Sequence, residues 1–131
     1  MPILVLKFGG TSVGSVDLIK SAAKIIKNEY DAGANIAVAI SAMSGTTNSL
    51  IKKIDLISSK DDAEYDSIVA SGEQVAAGLM ALALQELNIP ARSWLGWQLP
   101  IYTSGTHRYA TISKIESKNI LEGFKKKEVA V

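Results

Sequence analysis

Residues 3–15 read "ILVLKFGGTSVGS", an apolar run with Lys7 near its end, followed by paired glycines and small hydroxyl residues. A continuous apolar run that contains β-branched residues is typical of a strand covered on both faces. Ser15 and Asp17 then suit the N-cap and the acidic first turn of an amphipathic helix. The stretch therefore predicts a strand, a glycine-rich turn and a helix, with the Lys7 charge at the end of the strand.

The glycine-rich turn has the composition of an anion site. Glycines after a strand let backbone N–H groups approach an anion closely, and Lys7 adds a point charge. A phosphate or a transferring phosphoryl group is the expected ligand. The turn is not a Walker loop, because Ser15 rather than lysine follows Gly14. It is not a G-x-G-x-x-G fingerprint either, because Gly9 and Gly10 are adjacent. A tight turn whose lysine simply extends into solvent is the alternative.

Strands and helices alternate along the rest of the chain. Residues 36–42, "IAVAISA", predict a second buried strand, and "EVAV" at residues 128–131 predicts a last one. Helices are predicted at residues 16–30, 49–58, 67–87 and 117–128, with short strands between the last two. The inward face of the first helix is predicted to carry Leu18, Ala22, Ile25 and Ile26. The alternation predicts an α/β layered fold with a largely parallel sheet.

Composition excludes several classes of protein and site. The chain has 131 residues, 47% of them hydrophobic and 21% charged, which suits one globular domain. A net charge of +1 gives no reason to expect nucleic acid or an anionic membrane as partner. Without cysteine there is no disulfide or thiol nucleophile, and the cytoplasm is the expected location. The most apolar stretch, at residues 75–84, is too short to span a bilayer and predicts a buried helix.

Three further polar features could have either a functional or a purely structural role. "SAMSGTTN", residues 41–48, follows the second strand and can form either a helix N-cap or a polar ligand site. Glu73 precedes a nearly apolar stretch of helix, where it is stabilised by the helix N-terminus or dedicated to a ligand. His107 is the only histidine, so it is interpreted as a loop residue and no metal site is predicted.

Four blocks in order resemble the aspartate kinases of the amino-acid kinase family. They are "KFGGTSVG", "SAMSGTTN", "ASGEQVAAGLMALALQ" and "GWQ". Related kinases that act on acetylglutamate, glutamate or UMP share a glycine-rich start. "KFGGTS" together with "SGTTN" and "SGEQ" is most similar to the aspartate enzymes.

The resemblance implies a three-layer α/β/α sandwich with a mainly parallel sheet. It also implies the reaction of L-aspartate with ATP to give 4-phospho-L-aspartate and ADP, the first step towards lysine, threonine, methionine and diaminopimelate. ATP would bring Mg²⁺ with it, although no metal ligand is identified in the chain. Small-molecule substrates and a homo-oligomer are expected, with no nucleic acid and no membrane.

Site residues follow from the same resemblance, position by position. Lys7 would be catalytic and would neutralise charge on the transferring phosphoryl group. The phosphates of ATP would be bound by Lys7, Gly9, Gly10, Thr11 and Ser12. L-aspartate would be bound by Ser41, Thr47 and Glu73, with Glu73 meeting its ammonium group.

The resemblance also gives an expectation about domain organisation. Residues 1–131 would be the N-terminal, amino-acid-substrate half of a catalytic domain, and the fold would be truncated. The nucleotide-binding half and the regulatory domains of an aspartate kinase are absent from the sequence. The alternative to an active kinase is an inactive or split fragment that folds or associates without turnover. An unpaired edge at the final "VAV" strand is expected to promote association.

Overall fold

The computed structural model of the chain describes residues 2–57 and 61–131. Within these residues the strands and helices alternate as predicted. In chain order they are β1 Ile3–Phe8, α1 Val16–Asp31, β2 Asn35–Ile40, α2 Thr46–Asp55, α3 Asp62–Glu86, β3 Ala91–Arg92, β4 Ile101–Ser104, β5 Thr111–Ile115, α4 Lys118–Lys125 and β6 Val129–Ala130.

A parallel sheet with the strand order β1-β2-β6-β3 forms the centre of the molecule. β1 and β2 pair along their whole length, from Ile3 beside Asn35 to Phe8 beside Ile40. β4 and β5 form a separate antiparallel hairpin. The predicted α/β fold with a mainly parallel sheet is therefore confirmed.

The last strand is paired on both sides, which corrects the expectation of an unpaired edge there. β6 lies between β2 and β3, and its residues are buried. In the described part of the chain the open edges of this sheet belong to β1 and β3. β1 also leaves Ile3 and Val5 more than half exposed, because alternate side chains of a strand point to opposite faces.

Helices α1 and α3 contact one another and cover one face of the sheet. Their buried side chains, together with those of the strands, form the main core, whose largest fully buried members are Val13, Ile19, Ile26, Ile36, Met80, Leu84, Ile89 and Val129. Helix α4 contacts β6 and buries Phe124. Helices thus flank the parallel sheet.

The inward face of α1 differs from the prediction by one position. Ala22 and Ile26 are buried as predicted, but Leu18 and Ile25 are exposed. Ile19 takes the inward place instead. Residues seven apart share a helix face, so Leu18 with Ile25 and Ile19 with Ile26 fit the sequence pattern equally well.

Helix α3 begins at Asp62, five residues before the predicted start. The carboxylate of Asp61 accepts hydrogen bonds from the backbone N–H groups of Ala63 and Glu64, both at 3.0 Å. This N-cap starts the helix inside a stretch that the sequence analysis placed between helices. With 25 residues and a mean hydropathy of 1.4 over its most apolar window, α3 is long and apolar enough to span a membrane by length and composition alone. Its buried residues pack in the core described above.

Helix α2 begins at Thr46, three residues before the predicted start. Gly45 occupies the N-cap position with a φ of 82°, in the left-handed region that glycine adopts without strain. Thr46 and Thr47 therefore lie in the first turn of α2. The helix ends at Asp55, before the predicted end at residue 58, and residue 58 itself lies outside the described residues.

Candidate functional site

Two loops meet where β1 and β2 end side by side. The backbone N–H of Ser41 donates to the carbonyl of Phe8 at 3.0 Å, which continues the strand pairing by one bond. The N–H of Ser44 donates to the carbonyl of Gly10 at 3.1 Å. The glycine-rich loop after β1 is therefore bonded directly to the β2–α2 loop. Carboxyl ends of parallel strands are the usual ligand-binding edge in folds of this class.

The adjacent glycines of the first loop have different surroundings. A Cβ atom on Gly10 would lie 2.9 Å from the carbonyl oxygen of Ala42, so glycine is needed for the contact between the two loops. A Cβ atom on Gly9 would meet nothing within 4 Å. Gly9 thus leaves open space in which a ligand can approach the backbone closely.

Lys7 is the exposed penultimate residue of β1, beside Ala39 of β2. Its side chain is on the face opposite Leu6 and Phe8, which pack against the core. It forms no ion pair with any residue in the ranges 2–57 and 61–131. The charge is available to an anionic ligand at the strand end.

Thr11 and Ser12 are exposed in the same loop. Neither hydroxyl forms a hydrogen bond with the residues that the structure describes, whereas the Ser15 hydroxyl accepts from the N–H of Leu18 at 3.2 Å and caps α1. The predicted capping role of Ser15 is confirmed. The two earlier hydroxyls remain available for a ligand.

The β2–α2 loop does not use its hydroxyl side chains to cap α2. The N-cap is Gly45, without a side-chain capping bond. Of the two interpretations that the sequence left open for residues 41–48, the side-chain N-cap is therefore excluded. Ser41 and Thr47 are both half-buried, one at the end of β2 and one in the first turn of α2.

Glu73 reaches the same loop from α3. Its Oε1 atom accepts a hydrogen bond from the backbone N–H of Ala42 at 3.4 Å. Because α3 begins at Asp62, Glu73 lies about three turns inside the helix. Stabilisation by a helix N-terminus falls off within the first turn, so that alternative is wrong for Glu73. Two residues earlier, Ser71 donates its hydroxyl to the carbonyl of Ile68 at 2.6 Å.

Three of the predicted site residues, Gly10, Ser41 and Glu73, come together around Ala42. Ala42 touches Gly10 through its carbonyl and Glu73 through its N–H, and it follows Ser41. Lys7 is placed near this point by strand register rather than by a contact. Sequence analysis missed Ala42, because an alanine has no functional group that signals a role.

Within residues 2–57 and 61–131, no three histidine, aspartate or glutamate side chains converge to hold a metal ion. The described residues therefore contain no cluster of three such ligands for the Mg²⁺ that the resemblance implies.

His107 lies in the turn between β4 and β5, as predicted. Its Nδ1 atom is 3.0 Å from Oδ2 of Asp66, which also accepts from the backbone N–H of Arg108 at 2.9 Å. The Arg108 hydrogen bond is the main reason why the pKa of Asp66 lies below its ordinary value, and His107 lowers it further. Arg108 also lies 4.0 Å from the ring centroid of Tyr65. These contacts attach the tip of the hairpin to the first turns of α3.

Comparison with known proteins assigns the family. A sequence profile described as "Amino acid kinase family" matches residues 2–131. The chain belongs to this family. It is 44% identical to an aspartokinase from Rickettsia felis over 128 residues, which cover 95% of this chain and 32% of the relative. The chain thus spans about a third of the length of that relative.

Two solved structures resemble this family member closely. A crystal structure of aspartate kinase from Synechocystis has a TM-score of 0.84 and 33% identity, covering 98% of this chain and 21% of the other. Aspartokinase III from E. coli, solved in complex with aspartate and ADP, has a TM-score of 0.80 and covers 99% of this chain and 40% of the other. At 20% identity the second likeness shows the fold alone.

Proposed function

We propose that this chain supplies the amino-acid-binding half of an aspartate kinase. The reaction transfers the γ-phosphoryl group of ATP to the side-chain carboxylate of L-aspartate. The observation that carries the proposal is the meeting of the glycine-rich loop, the β2–α2 loop and Glu73 at Ala42. The 44% identity to an aspartokinase supports aspartate, rather than another acceptor, as the substrate.

Phosphate binding belongs to the loop after β1. Gly9 leaves space for close approach to the backbone, and Gly10 holds the loop against Ala42. Thr11 and Ser12 offer hydroxyl donors beside them. Lys7 supplies the positive charge that offsets charge on the transferring phosphoryl group.

We assign aspartate binding to Glu73, which contacts the N–H of Ala42, and to the hydroxyl residues of the β2–α2 region. One carboxylate oxygen of Glu73 is occupied by the Ala42 N–H, and Oε2 forms no hydrogen bond within the described residues. That second oxygen is suited to the ammonium group of L-aspartate. Ser41 and Thr47 contribute hydroxyl groups to the same proposed binding site.

The chemistry requires placement more than proton transfer. An oxygen of the aspartate side chain attacks the γ-phosphorus, the bond to the β–γ bridging oxygen breaks, and ADP leaves with that electron pair. The attacking carboxylate has an ordinary pKa of about 3.9, so it is already ionised at neutral pH and needs no general base. Mg²⁺ bound to ATP would neutralise phosphate charge. The chain's contribution is to hold the acceptor and place Lys7.

The product places the reaction at the start of the pathway to lysine, threonine, methionine and diaminopimelate, and the cytoplasm is the proposed location. Because the chain spans 32% of its aspartokinase relative, we assign it the amino-acid-substrate half of the catalytic domain. Nucleotide binding is completed by residues outside that half.

Titration of the ¹⁵N-labelled chain with L-aspartate tests the proposal. We expect L-aspartate to shift the amide resonances of residues 41–47 and 73. Succinate, which lacks the ammonium group, should bind roughly tenfold more weakly or worse, as should L-aspartate to Glu73→Gln, because a charged hydrogen bond is lost. Glu64→Gln, an exposed acid on the same helix, is the matched control and should leave the affinity unchanged. Equal binding of succinate and L-aspartate would contradict the proposal.

A further inference from the structure

Gly72 lies where α3 packs against the β2–α2 loop and the start of α2. A Cβ atom at this position would be 3.0 Å from Cβ of Ala42 and 3.1 Å from Cγ2 of Thr46. Optimal carbon–carbon separations are about 3.5–4.0 Å, so both distances are short. Glycine inside a helix is unfavourable relative to alanine, and the close packing explains its presence here.

Ala42, the nearest neighbour of Gly72, cannot give way. Its methyl group has no rotamer to change, whereas Thr46 can move its methyl group by changing between the two rotamers common for threonine in a helix. A side chain on residue 72 would therefore be accommodated by separating the backbone of α3 from the loop. Gly78 in the same helix differs, because a Cβ atom there would meet nothing within 4 Å.

Separation of α3 from the loop would act directly on Glu73. The hydrogen bond from the Ala42 N–H to its carboxylate is already 3.4 Å long, near the limit for such a bond. Ala42 thus presents its methyl group to Gly72 and its N–H to the next residue of the same helix. A shift of a few tenths of an ångström removes the hydrogen bond.

Ala42 is confined from its other side as well. Its carbonyl oxygen would be 2.9 Å from a Cβ atom on Gly10. The Ala42 peptide therefore sits between two glycines, one in the proposed phosphate loop and one in α3. We propose that Gly72 is a positioning residue that sets the Glu73 carboxylate on Ala42, and this inference rests on the proposed function of Glu73.

Three variants test this role. Gly72→Ala should weaken binding of L-aspartate to the chain by about tenfold or more, because misplaced binding groups lose affinity steeply. It should also speed hydrogen exchange of the residue 42 amide by about tenfold, while amides of β2 remain protected. Gly78→Ala is the matched control and should leave both quantities within about twofold, since it adds the same methyl group in open space.

Exchanging the two residues across the contact tests whether Gly72→Ala acts by displacing Glu73 or by destabilising the whole fold. The double variant Ala42→Gly/Gly72→Ala moves the methyl group from one side of the contact to the other. We expect it to restore the protection of the residue 42 amide and the affinity for L-aspartate. If Gly72→Ala does not fold, the double variant must fold. The inference is overturned if the swap restores neither property, if it also fails to fold, or if Gly72→Ala leaves residue 42 protected.

The binding and exchange measurements distinguish failure of the proposed function from failure of this inference. If L-aspartate binds none of the proteins, but residue 42 loses protection in Gly72→Ala and regains it in the swap, the assignment of the substrate fails. The positioning of Glu73 by Gly72 then stands on the exchange data alone.

Discussion

Gly9 and Gly10 are chain neighbours, but replacing them with alanine should change stability by different amounts. Gly10→Ala places a Cβ atom 2.9 Å from a backbone carbonyl, which cannot move cheaply, and should cost about 1–3 kcal/mol of unfolding free energy. Gly9→Ala meets open space and should change stability by no more than about 0.5 kcal/mol. Urea unfolding of both variants measures the difference. Equal destabilisation would show that the loops are not packed as described.

Lys7 gives a prediction about turnover. In a protein that joins this chain to the rest of an aspartate kinase, Lys7→Ala should lower the rate about 10²- to 10³-fold, roughly 3–4 kcal/mol. The reason is the loss of a positive group placed at developing negative charge. Steady-state ADP formation measures the rate, and Lys24→Ala, an exposed lysine on α1, is the control. Near-normal turnover of Lys7→Ala would make Lys7 a solvent-exposed strand residue without a catalytic role.

Sequence analysis at this scale singled out candidate side chains but did not predict how they pack. Lys7 and Glu73 were identified because a charge beside an apolar run needs a physical reason. The close packing of Gly72 against Ala42 was missed. That contact joins residues about thirty positions apart, and no local pattern encodes it.

At the scale of helices and strands, the predictions were wrong mainly about where each helix begins and ends. The stretch before residue 67 is polar and was predicted to separate two helices, yet it contains the first turns of α3. Polar residues in a first turn are compatible with a helix when an N-cap such as Asp61 is present. The β4–β5 hairpin, which follows later in the sequence, contacts Asp62 and Asp66 in these same turns. The sequence pattern does not indicate these contacts.

Attachment of the hairpin tip to α3 should depend on pH. The pKa of Asp66 is lowered in the folded chain, chiefly by the Arg108 N–H, so its contribution to stability is present above the ordinary aspartate pKa of about 3.9. It is lost as the pH falls through the lower folded pKa. We expect the Arg108 amide resonance to move sharply below about pH 4, as Asp66 is protonated.

Variants of acidic residues on α3 provide the control for this pH dependence. Asp66→Asn keeps an oxygen acceptor but no longer titrates, so the acid-induced movement of the Arg108 resonance should disappear. Glu64→Gln should retain it, because the described structure shows no contact of that side chain with the hairpin. Persistence of the movement in Asp66→Asn would assign it to another group.

For the whole molecule, the fold class was accessible from the sequence, whereas the position of the last strand in the sheet was not. Apolar runs alternating with amphipathic segments define a parallel α/β sheet, and β1 with β2 pair as expected. Strand order is set by contacts between distant segments. The final strand was expected at an open edge because the fold was taken to be truncated, although β6 lies inside the sheet.

The 131-residue chain should have no measurable kinase activity by itself. Phosphoryl transfer requires acceptor, ATP and metal to be held in line, and positioning supplies most of the rate enhancement. We expect no ADP from ATP and L-aspartate in a coupled assay with the purified chain. Aspartate-dependent ADP release that disappears in Lys7→Ala would contradict this expectation.

The same purified chain should associate with itself through β1. This strand pairs on one side only, and its outer face exposes Ile3 by 56% and Val5 by 67%. An open edge beside exposed apolar side chains favours pairing between chains. Sedimentation velocity should show a dimer or larger species, and Val5→Lys should shift it towards monomer by placing a charge on that face. Leu56→Lys, at a residue 88% exposed on the α2 side of the molecule, should leave the distribution unchanged. A monomeric wild type, or equal effects of the two lysines, would exclude β1 as the association surface.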